Sequence, residues 1–264
     1  MLPSHVGVVE VEGRGRCVVA KRAIAAGEVV LECQPFAAVA AGTDWKQRCG
    51  RCMVAAVGMR VCGACKRMAY CSQRCQREDW VGGHKQECPG LKPLGHYPGA
   101  TVLLMARTLL RYAAEPGGEE WAAVSDLVAH RGEHPPELLE SYGSATVAVS
   151  HIVPKAVLEA LGTTAIVALF CKFYCNVFTI TDSELNHVGI GLYAAGGLLN
   201  HACDPNCVPL FAGRKQVVRC VRDVAAGEEV TVGYIELCRP RLYRHRELAS
   251  SYFFNCHCPR CTVG

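Results

Sequence analysis

Hydrophobic residues near the N-terminus form short, valine-rich runs that are separated by glycine-containing turns. The runs cover residues 6–11, 17–21 and 29–33. Short apolar runs rich in β-branched residues and bounded by glycine are typical of strands. The chain up to Ala41 is therefore predicted to form a β-meander. A similar phrase recurs at residues 25–30 and 225–230, and we interpret both as turns that enter strands rather than as a repeat.

The middle of the chain has helical periodicity instead, with apolar residues recurring every three to four positions. The predicted helices cover residues 100–114, 119–130, 136–142 and 163–176. Strand-like runs return at 177–181, 208–211, 216–221 and 230–234, before a last helix at 240–251. The strand-rich ends are interpreted as one domain, interrupted by a cysteine-rich module and a helical insertion.

Composition narrows the class of protein. Half of the 264 residues are hydrophobic, enough for a proper core, and the net charge of +4 is too small to indicate nucleic-acid binding by itself. No run of about 18 apolar residues occurs, and the N-terminus does not resemble a signal peptide. We therefore expect a soluble intracellular protein, in the cytoplasm and/or nucleus, without a membrane segment.

Cysteine is the exceptional residue, with 18 copies. Disulfide scaffolds are usually short secreted chains, so a long chain without an export signal favours metal binding. Eleven of the cysteines fall into two clusters. The other seven lie in apolar surroundings and are predicted to be buried hydrophobic residues: Cys17, Cys33, Cys171, Cys175, Cys207, Cys220 and Cys238.

The first cluster supplies eight metal ligands in four close pairs. The pairs are Cys49 and Cys52, Cys62 and Cys65, Cys71 and Cys75, and His84 and Cys88. Each pair is too close in sequence to complete a four-coordinate site, so two pairs must combine, and closed thiolate-rich zinc sites are structural. The spacing predicts two zinc ions but leaves the pairing open.

The order of these ligands, with Tyr70 before Cys71 and Ser72-Gln73 after it, resembles the MYND zinc finger. The resemblance implies interleaved sites: Cys49, Cys52, Cys71 and Cys75 hold one zinc, and Cys62, Cys65, His84 and Cys88 hold the other. It also implies a proline-rich peptide as a partner. Seven thiolates around two zinc ions subtract about three charges from this basic module, so we expect weak DNA binding or none.

The second cluster lies at the C-terminus, where Cys256, Cys258 and Cys261 offer three thiolates within six residues. A tetrahedral zinc site needs a fourth ligand. We predict that Cys203 supplies it and that His257 is a spacer. The alternative is a free three-cysteine tail.

Three further segments complete a pattern: Gly13-Arg14-Gly15-Arg16, Asn200–Cys207 and Gly227–Tyr234. Together with the C-terminal cysteines they resemble the SET domain of protein lysine methyltransferases, and with the finger the chain resembles the SET-and-MYND (SMYD) family from about Gly7 to Cys261. The resemblance implies an α+β fold, in which a β-rich SET domain is interrupted by a MYND zinc finger and a helical insertion and followed by a zinc-binding post-SET segment. The implied segments are 1–47, 48–90, 91–162, 163–238 and 239–264.

The resemblance also implies roles for individual residues. The expected contacts to S-adenosylmethionine are Gly13, Arg14, Gly15, Asn176, Asn200, His201, Tyr234 and Phe254, with His201 acting chiefly through its main chain. The expected lysine channel consists of Phe178, Tyr234 and Tyr252, and Tyr234 orients the amine as the catalytic residue. The alternatives are a helix cap for Asn176, a satisfied core histidine for His201 and core packing for the aromatic residues.

These features predict a protein-lysine N-methyltransferase, expected to be a monomer, that acts on histone tails or other lysine-containing proteins. The alternatives are a catalytically idle SET-fold adaptor that works through its finger, and a zinc-dependent nucleic-acid binder. Two departures from the family stand out. Ala202 replaces a common serine, and the sequence ends at Gly264, where animal members continue into a helical C-terminal domain. We therefore expect that domain to be lacking.

Overall fold

The structure is a computed structural model that describes residues 2–40 and 45–262. The predicted end of the N-terminal strands at Ala41 and the last residue, Gly264, lie outside the described residues. The chain divides into two compact units, Met1–Gln34 with Ala194–Gly264, and Pro35–Tyr193. The five segments expected from sequence are finer than this division.

Helices and strands both occur throughout, which confirms the predicted α+β class. The strands are β1 (Val6–Val11), β2 (Gly15–Ala20), β3 (Val29–Cys33), β4 (Ala37–Ala40), β5 (Arg60–Val61), β6 (Ala69–Tyr70), β7 (Val177–Thr181), β8 (His187–Leu192), β9 (Asn200–His201), β10 (Cys207–Ala212), β11 (Lys215–Cys220) and β12 (Thr231–Val232). The helices are α1 (Gln73–Asp79), α2 (Lys85–Leu91), α3 (Ala100–Ala114), α4 (Glu119–Ser125), α5 (Pro136–Ser150), α6 (Lys155–Leu161), α7 (Thr163–Asn176), α8 (Arg241–Tyr252) and α9 (Pro259–Thr262).

The first unit consists of small sheets around an aliphatic core that includes Val18, Leu31 and Val218. Strands β1 and β2 form an antiparallel hairpin, β3 pairs with β11 and β11 with β10, and β9 runs parallel to β12. The predicted β-meander is therefore wrong beyond the hairpin. β3 leaves its sequence neighbour and pairs with a strand from the other end of the chain, where its apolar residues are buried in the common core.

The two related phrases near residues 25 and 225 do form turns, as predicted, and the turns also pair with each other. Gly27 and Gly227 have φ of 83° and 84°, a left-handed conformation that favours glycine. The backbone N–H groups of Ile24 and Val224 each donate to the carbonyl of the other at 2.9 Å. The pairing is thus reciprocal, and it joins the two sequence halves of the first unit.

The second unit contains the antiparallel sheet β4-β8-β7, the short β5-β6 hairpin and most of the helices. Predictions for α3, α7 and β7 have the observed bounds, whereas α4 ends at Ser125 and α5 continues to Ser150. Strand β8 was not expected, because glycines interrupt its apolar pattern. Gly189 is needed there, since a Cβ atom would lie 2.6 Å from the carbonyl oxygen of Val39.

The cysteines outside the clusters mostly follow the prediction. Cys17, Cys171, Cys207 and Cys220 are buried, and Cys33 and Cys175 are half-buried. Cys238 is exposed, so its predicted burial is wrong; it lies in the polar loop before α8.

Among the described residues, no single helix is both long and apolar enough to cross a membrane. Helices α6 and α7 meet those criteria only when taken together, with a bend of 85° between them.

Candidate active site and metal centres

The eight ligands of the finger fall into two sets whose donor atoms all lie within 4.8 Å of one another. The sets are Cys49, Cys52, Cys71 and Cys75, and Cys62, Cys65, His84 and Cys88. Tetrahedral zinc with Zn–S bonds near 2.3 Å would separate its sulfurs by roughly 3.8 Å. The sulfur of Cys71 lies 3.6 Å from those of Cys52 and Cys75, and the sulfurs of Cys62 and Cys88 lie 3.8 Å apart. Both sets therefore fit zinc, in the interleaved order that the resemblance implies.

Local structure presents these ligands. Ser72 caps α1, its hydroxyl accepting the backbone N–H of Cys75 at 3.1 Å. After α1 a single wide turn, Trp80–His84, contains Gly83 with φ of 138°, in the region that favours glycine. This turn directs the Nε2 atom of His84 to within 3.6 Å of the Cys65 sulfur.

A buried charge network lies behind the second set. The Nδ1 atom of His84 is 2.8 Å from the carboxylate of Glu87, the usual way in which a metal-binding histidine is oriented. Arg107, on α3, donates to Glu87 at 2.8 Å and to Asp79 at 3.1 Å, and Tyr70 donates to Asp79 at 2.8 Å. Glu87 is 0% and Asp79 4% exposed.

The guanidinium of Arg107 explains how the carboxylate of Glu87 remains charged in this interior. Burial alone would raise the pKa of Glu87, but the charge of Arg107 and the hydrogen bond from His84 hold the pKa at about 2. Asp79, His84 and Glu87 lie close enough together to hold a metal ion, yet the Arg107 cation already pairs with both carboxylates. Sequence analysis missed the network because both acids resembled surface charges of the finger.

The third cysteine set is Cys203, Cys256, Cys258 and Cys261, again within 4.8 Å. The sulfur of Cys203 lies 3.5 Å from that of Cys261 and 4.0 Å from that of Cys256. These separations also fit tetrahedral zinc. His257 is exposed and is not among the grouped ligands, as expected of a spacer. None of the 18 cysteines, all of which lie among the described residues, forms a disulfide.

The glycine hairpin and the Asn200 segment come together in the first unit. Gly13 and Gly15 have φ of 73° and 69°, so the turn requires glycine. The side-chain amide of Asn200 donates to the carbonyl of Arg16 at 2.8 Å and to the carboxylate of Glu229 at 2.9 Å.

Glu229 also pairs with Arg14 of the hairpin turn at 2.5 Å. This acid was missed by sequence analysis, although it is the second glutamate of a Gly-Glu-Glu run that had been singled out. It ties the turn of the hairpin to the Asn200 segment.

His201 is buried beside the third cysteine set. Its Nδ1 atom accepts the backbone N–H of Tyr234 at 3.0 Å, and its Nε2 atom lies 3.2 Å from the sulfur of Cys203. Burial and the charge of Arg244 lower the pKa of His201 to about 4, so the ring is neutral near pH 7. Both nitrogens of the imidazole therefore have partners within the core, which is the alternative that the sequence left open. The main chain of His201 is then the part that is available for the expected cofactor contact.

Three aromatic side chains pack against the third set. The ring centroid of Tyr234 lies 4.8 Å from that of Tyr252 and 6.4 Å from that of Phe254. The Tyr234 hydroxyl donates to the carbonyl of Leu199 at 2.6 Å, and the Tyr252 hydroxyl donates to the carbonyl of Tyr234 at 3.2 Å. Phe253, the residue after the last one of α8, has a left-handed conformation, so Phe254 does not continue the helix.

Asn176 and Phe178 belong to the second unit. The Asn176 amide donates to the carbonyls of Val128 and Lys172, both at 2.8 Å. It therefore caps the C-terminal end of α7, which is the alternative role that the sequence left open for this residue. The ring of Phe178 packs edge-to-face against that of Tyr193, with 5.7 Å between the ring centroids. Their expected roles at the cofactor and the lysine channel stay predictions.

Comparisons with known proteins give sequence matches over most of the chain. The family described as SET domain matches residues 15–235. N-lysine methyltransferase SMYD2 of Gallus gallus is 35% identical over 256 residues, and the SMYD2 proteins of Bos taurus and Homo sapiens are each 34% identical. These alignments cover 95% of this chain and 58–59% of each relative, so the chain spans less than two thirds of the length of these relatives.

Among solved structures, the SET domain of LSMT bound to lysine and AdoHcy aligns with 97% of this chain and 54% of that chain, at 14% sequence identity and a TM-score of 0.45. The family assignment is carried by the sequence matches.

Proposed function

Because this chain belongs to the SET domain family, as its motifs predict, we propose that it is an S-adenosylmethionine-dependent protein-lysine N-methyltransferase. Relatives that are similar over 95% of its length are named N-lysine methyltransferases. The observation that carries the proposal is the convergence of the glycine hairpin, Asn200 and Tyr234 within one unit. The cofactor, when bound, supplies a methyl group on a positively charged sulfur.

The residues of this chain prepare the amine that accepts the methyl group. Free lysine has a pKa near 10.4 and is mostly charged in water, whereas an apolar channel favours the neutral amine by desolvation. Tyr234 and Tyr252 are the proposed walls, with Phe178 as the third, and aromatic rings also tolerate a methylated cation.

Tyr234 orients the amine in this proposal. Its hydroxyl donates its proton to the Leu199 carbonyl, so its oxygen acts towards the amine as an acceptor of an N–H hydrogen bond. The amine lone pair is then turned towards the methyl group. The contribution is one of positioning rather than of general base catalysis.

The cofactor contacts are proposed as the resemblance implies them. Left-handed Gly13 and Gly15 allow close approach of the backbone, and the Asn200 amide holds the hairpin. The full set is Gly13, Arg14, Gly15, Asn176, Asn200, His201, Tyr234 and Phe254.

Three structural zinc ions belong to the proposal, because three sets of four donors have the spacing of tetrahedral sites. Metal analysis of the purified protein tests the number. A value of three per chain is expected, and a value of two would reject the set that contains Cys203.

The activity is tested with radiolabelled S-adenosylmethionine and a panel of histones and cell lysate. We expect label in protein lysine, and we expect Tyr234→Phe to reduce it at least tenfold. Tyr243→Phe is the matched control, since Tyr243 is an exposed tyrosine on α8. Label that enters no protein, or equal activity of the two variants, would reject the proposal. Histone tails and other lysine-containing proteins are the proposed substrates of an intracellular monomer.

A second candidate, an adaptor without catalysis, is favoured by the exposed apolar side chains of the finger. Val57, Trp80 and Val81 are exposed, and such side chains suit a proline-rich peptide. Calorimetry separates the candidates, because an adaptor has no need to bind S-adenosylmethionine. If the protein binds both the cofactor and a proline-rich peptide, it is an enzyme whose finger also serves as a docking site.

A further inference from the structure

The His201 side chain connects the third cysteine set with the strand end that carries Tyr234. A backbone N–H can only donate, so the His201 Nδ1 atom that faces the N–H of Tyr234 is an acceptor. An imidazole ring carries at least one N–H proton, and with Nδ1 acting as an acceptor that proton must be on Nε2, which faces the Cys203 sulfur at 3.2 Å. The imidazole therefore donates to one metal ligand and accepts from the backbone of Tyr234.

The electrostatics of the third set favour such a donor. Four thiolates around one Zn²⁺ carry a net charge of −2, and this charge is buried with the sulfurs of Cys203, Cys256 and Cys261. Arg244, only 4% exposed, has its Nη2 atom 3.7 Å from the Cys261 sulfur. A cation thus faces one sulfur and an N–H group faces another, and together they offset the excess negative charge.

The same contacts extend to the proposed lysine channel. The backbone of Tyr234 is held at its N–H by His201 and at its carbonyl by the hydroxyl of Tyr252. Both holding groups pack against the third cysteine set. A zinc ion there would fix the two peptide groups that flank the Cα atom of Tyr234.

We propose that His201 is a positioning residue whose imidazole hydrogen-bonds the zinc-bound thiolate of Cys203 and holds the main chain of Tyr234, with Arg244 offsetting the charge of the site. This role is additional to the main-chain contact with the cofactor. Its Tyr234 part rests on the proposed function, whereas its zinc part does not.

Two substitutions separate the two hydrogen bonds. In His201→Asn the amide oxygen can replace Nδ1 as the acceptor for Tyr234, but no donor reaches Cys203. In His201→Gln the amide nitrogen can replace Nε2 as the donor to Cys203, but the acceptor is lost. His245→Gln is the control, because His245 lies on α8 and its buried Nε2 atom makes no hydrogen bond with any described residue.

The first measurement is competition for zinc with a chelator, together with the cobalt spectrum of the third site. Loss of an outer contact to a metal ligand typically costs about 10–100-fold in affinity. We expect that weakening in His201→Asn only, with the two finger sites unchanged as internal controls. Wild-type affinity in His201→Asn, or equal loss in both variants, would overturn the proposal, since equal loss means that the site responds to side-chain volume alone.

The second measurement is methyl transfer with the zinc-loaded proteins. His201→Gln is expected to lower kcat at least tenfold while keeping its zinc and the wild-type KM for S-adenosylmethionine. A wild-type kcat in that variant would overturn the Tyr234 part. If the wild-type protein transfers no methyl group, the proposed function fails, while the zinc measurement still decides the role of His201.

Discussion

Replacement of Arg107 by methionine should destabilise the second unit strongly. The guanidinium contacts the carboxylates of Asp79 and Glu87 and also donates to the carbonyl of Ala38 at 3.0 Å. Methionine matches much of the aliphatic volume but supplies no charge. Two buried acids would then lose their common cation, next to a zinc-ligand histidine that one of them orients.

The size of the effect follows from burial. Removing one member of a buried ion pair costs about 3–5 kcal/mol, because the remaining charge stays desolvated. The carboxylates can take up protons, which limits the loss, so we expect about 4 kcal/mol at pH 7. The pKa of Glu87 is held at about 2, below the ordinary value, so its stabilising contribution is fully present at pH 7 and is lost only as the pH falls towards 2.

Urea unfolding of the zinc-loaded protein at pH 7, followed by zinc release from the finger, measures this loss. Arg74→Met is the control, because Arg74 forms an exposed pair with Glu78 at 2.8 Å and such pairs contribute little. The double variant Glu87→Gln/Arg107→Met should be less unstable than the sum of its single changes, since one unpaired charge is gone. Equal midpoints for Arg107→Met and Arg74→Met would refute the reasoning.

Three further changes test the sites. Cys203→Ser should lower the zinc content from three to two per chain and reduce methyl transfer, although Cys203 touches no reacting atom; full zinc and full activity would contradict this. Glu229→Ala removes partners of both Arg14 and Asn200 and should weaken S-adenosylmethionine binding about tenfold by calorimetry, with a smaller loss in Glu229→Gln, which keeps an acceptor for Asn200. Gly83→Ala forces a side chain into a left-handed conformation at a cost of about 1–3 kcal/mol and should accelerate zinc release from the set that contains His84, while the other finger set is unaffected.

Sequence alone was informative where the chemistry is local. The paired zinc ligands of the finger are three or four residues apart, so their spacing alone identifies most of the two sites. The bounds of helix α3 follow from the periodicity of its own apolar residues. The contacts of Arg107 lie 20 and 28 residues away, and nothing in the local pattern distinguishes this arginine from those on the surface. Asn176, in contrast, was singled out by its motif, but its observed hydrogen bonds are structural. Its amide bonds to Val128, 48 residues earlier, a tertiary contact that a motif comparison does not reveal.

The reciprocal turns at Gly27 and Gly227 bear on the order in which the chain acquires structure during synthesis. The β1-β2 hairpin can form early, but the partner of β3, strand β11, follows the whole of Pro35–Tyr193. Closing a loop of about 160 residues carries an entropy cost of roughly 4–5 kcal/mol. The second unit can therefore form its local contacts first, while the apolar residues of β3 stay exposed to solvent until β11 is available to pair with it. A ribosome-bound chain should thus be sensitive to proteolysis at β3 until β11 and the Gly227 turn have left the exit tunnel, and only the third cysteine set, which needs Cys256, Cys258 and Cys261, can form later.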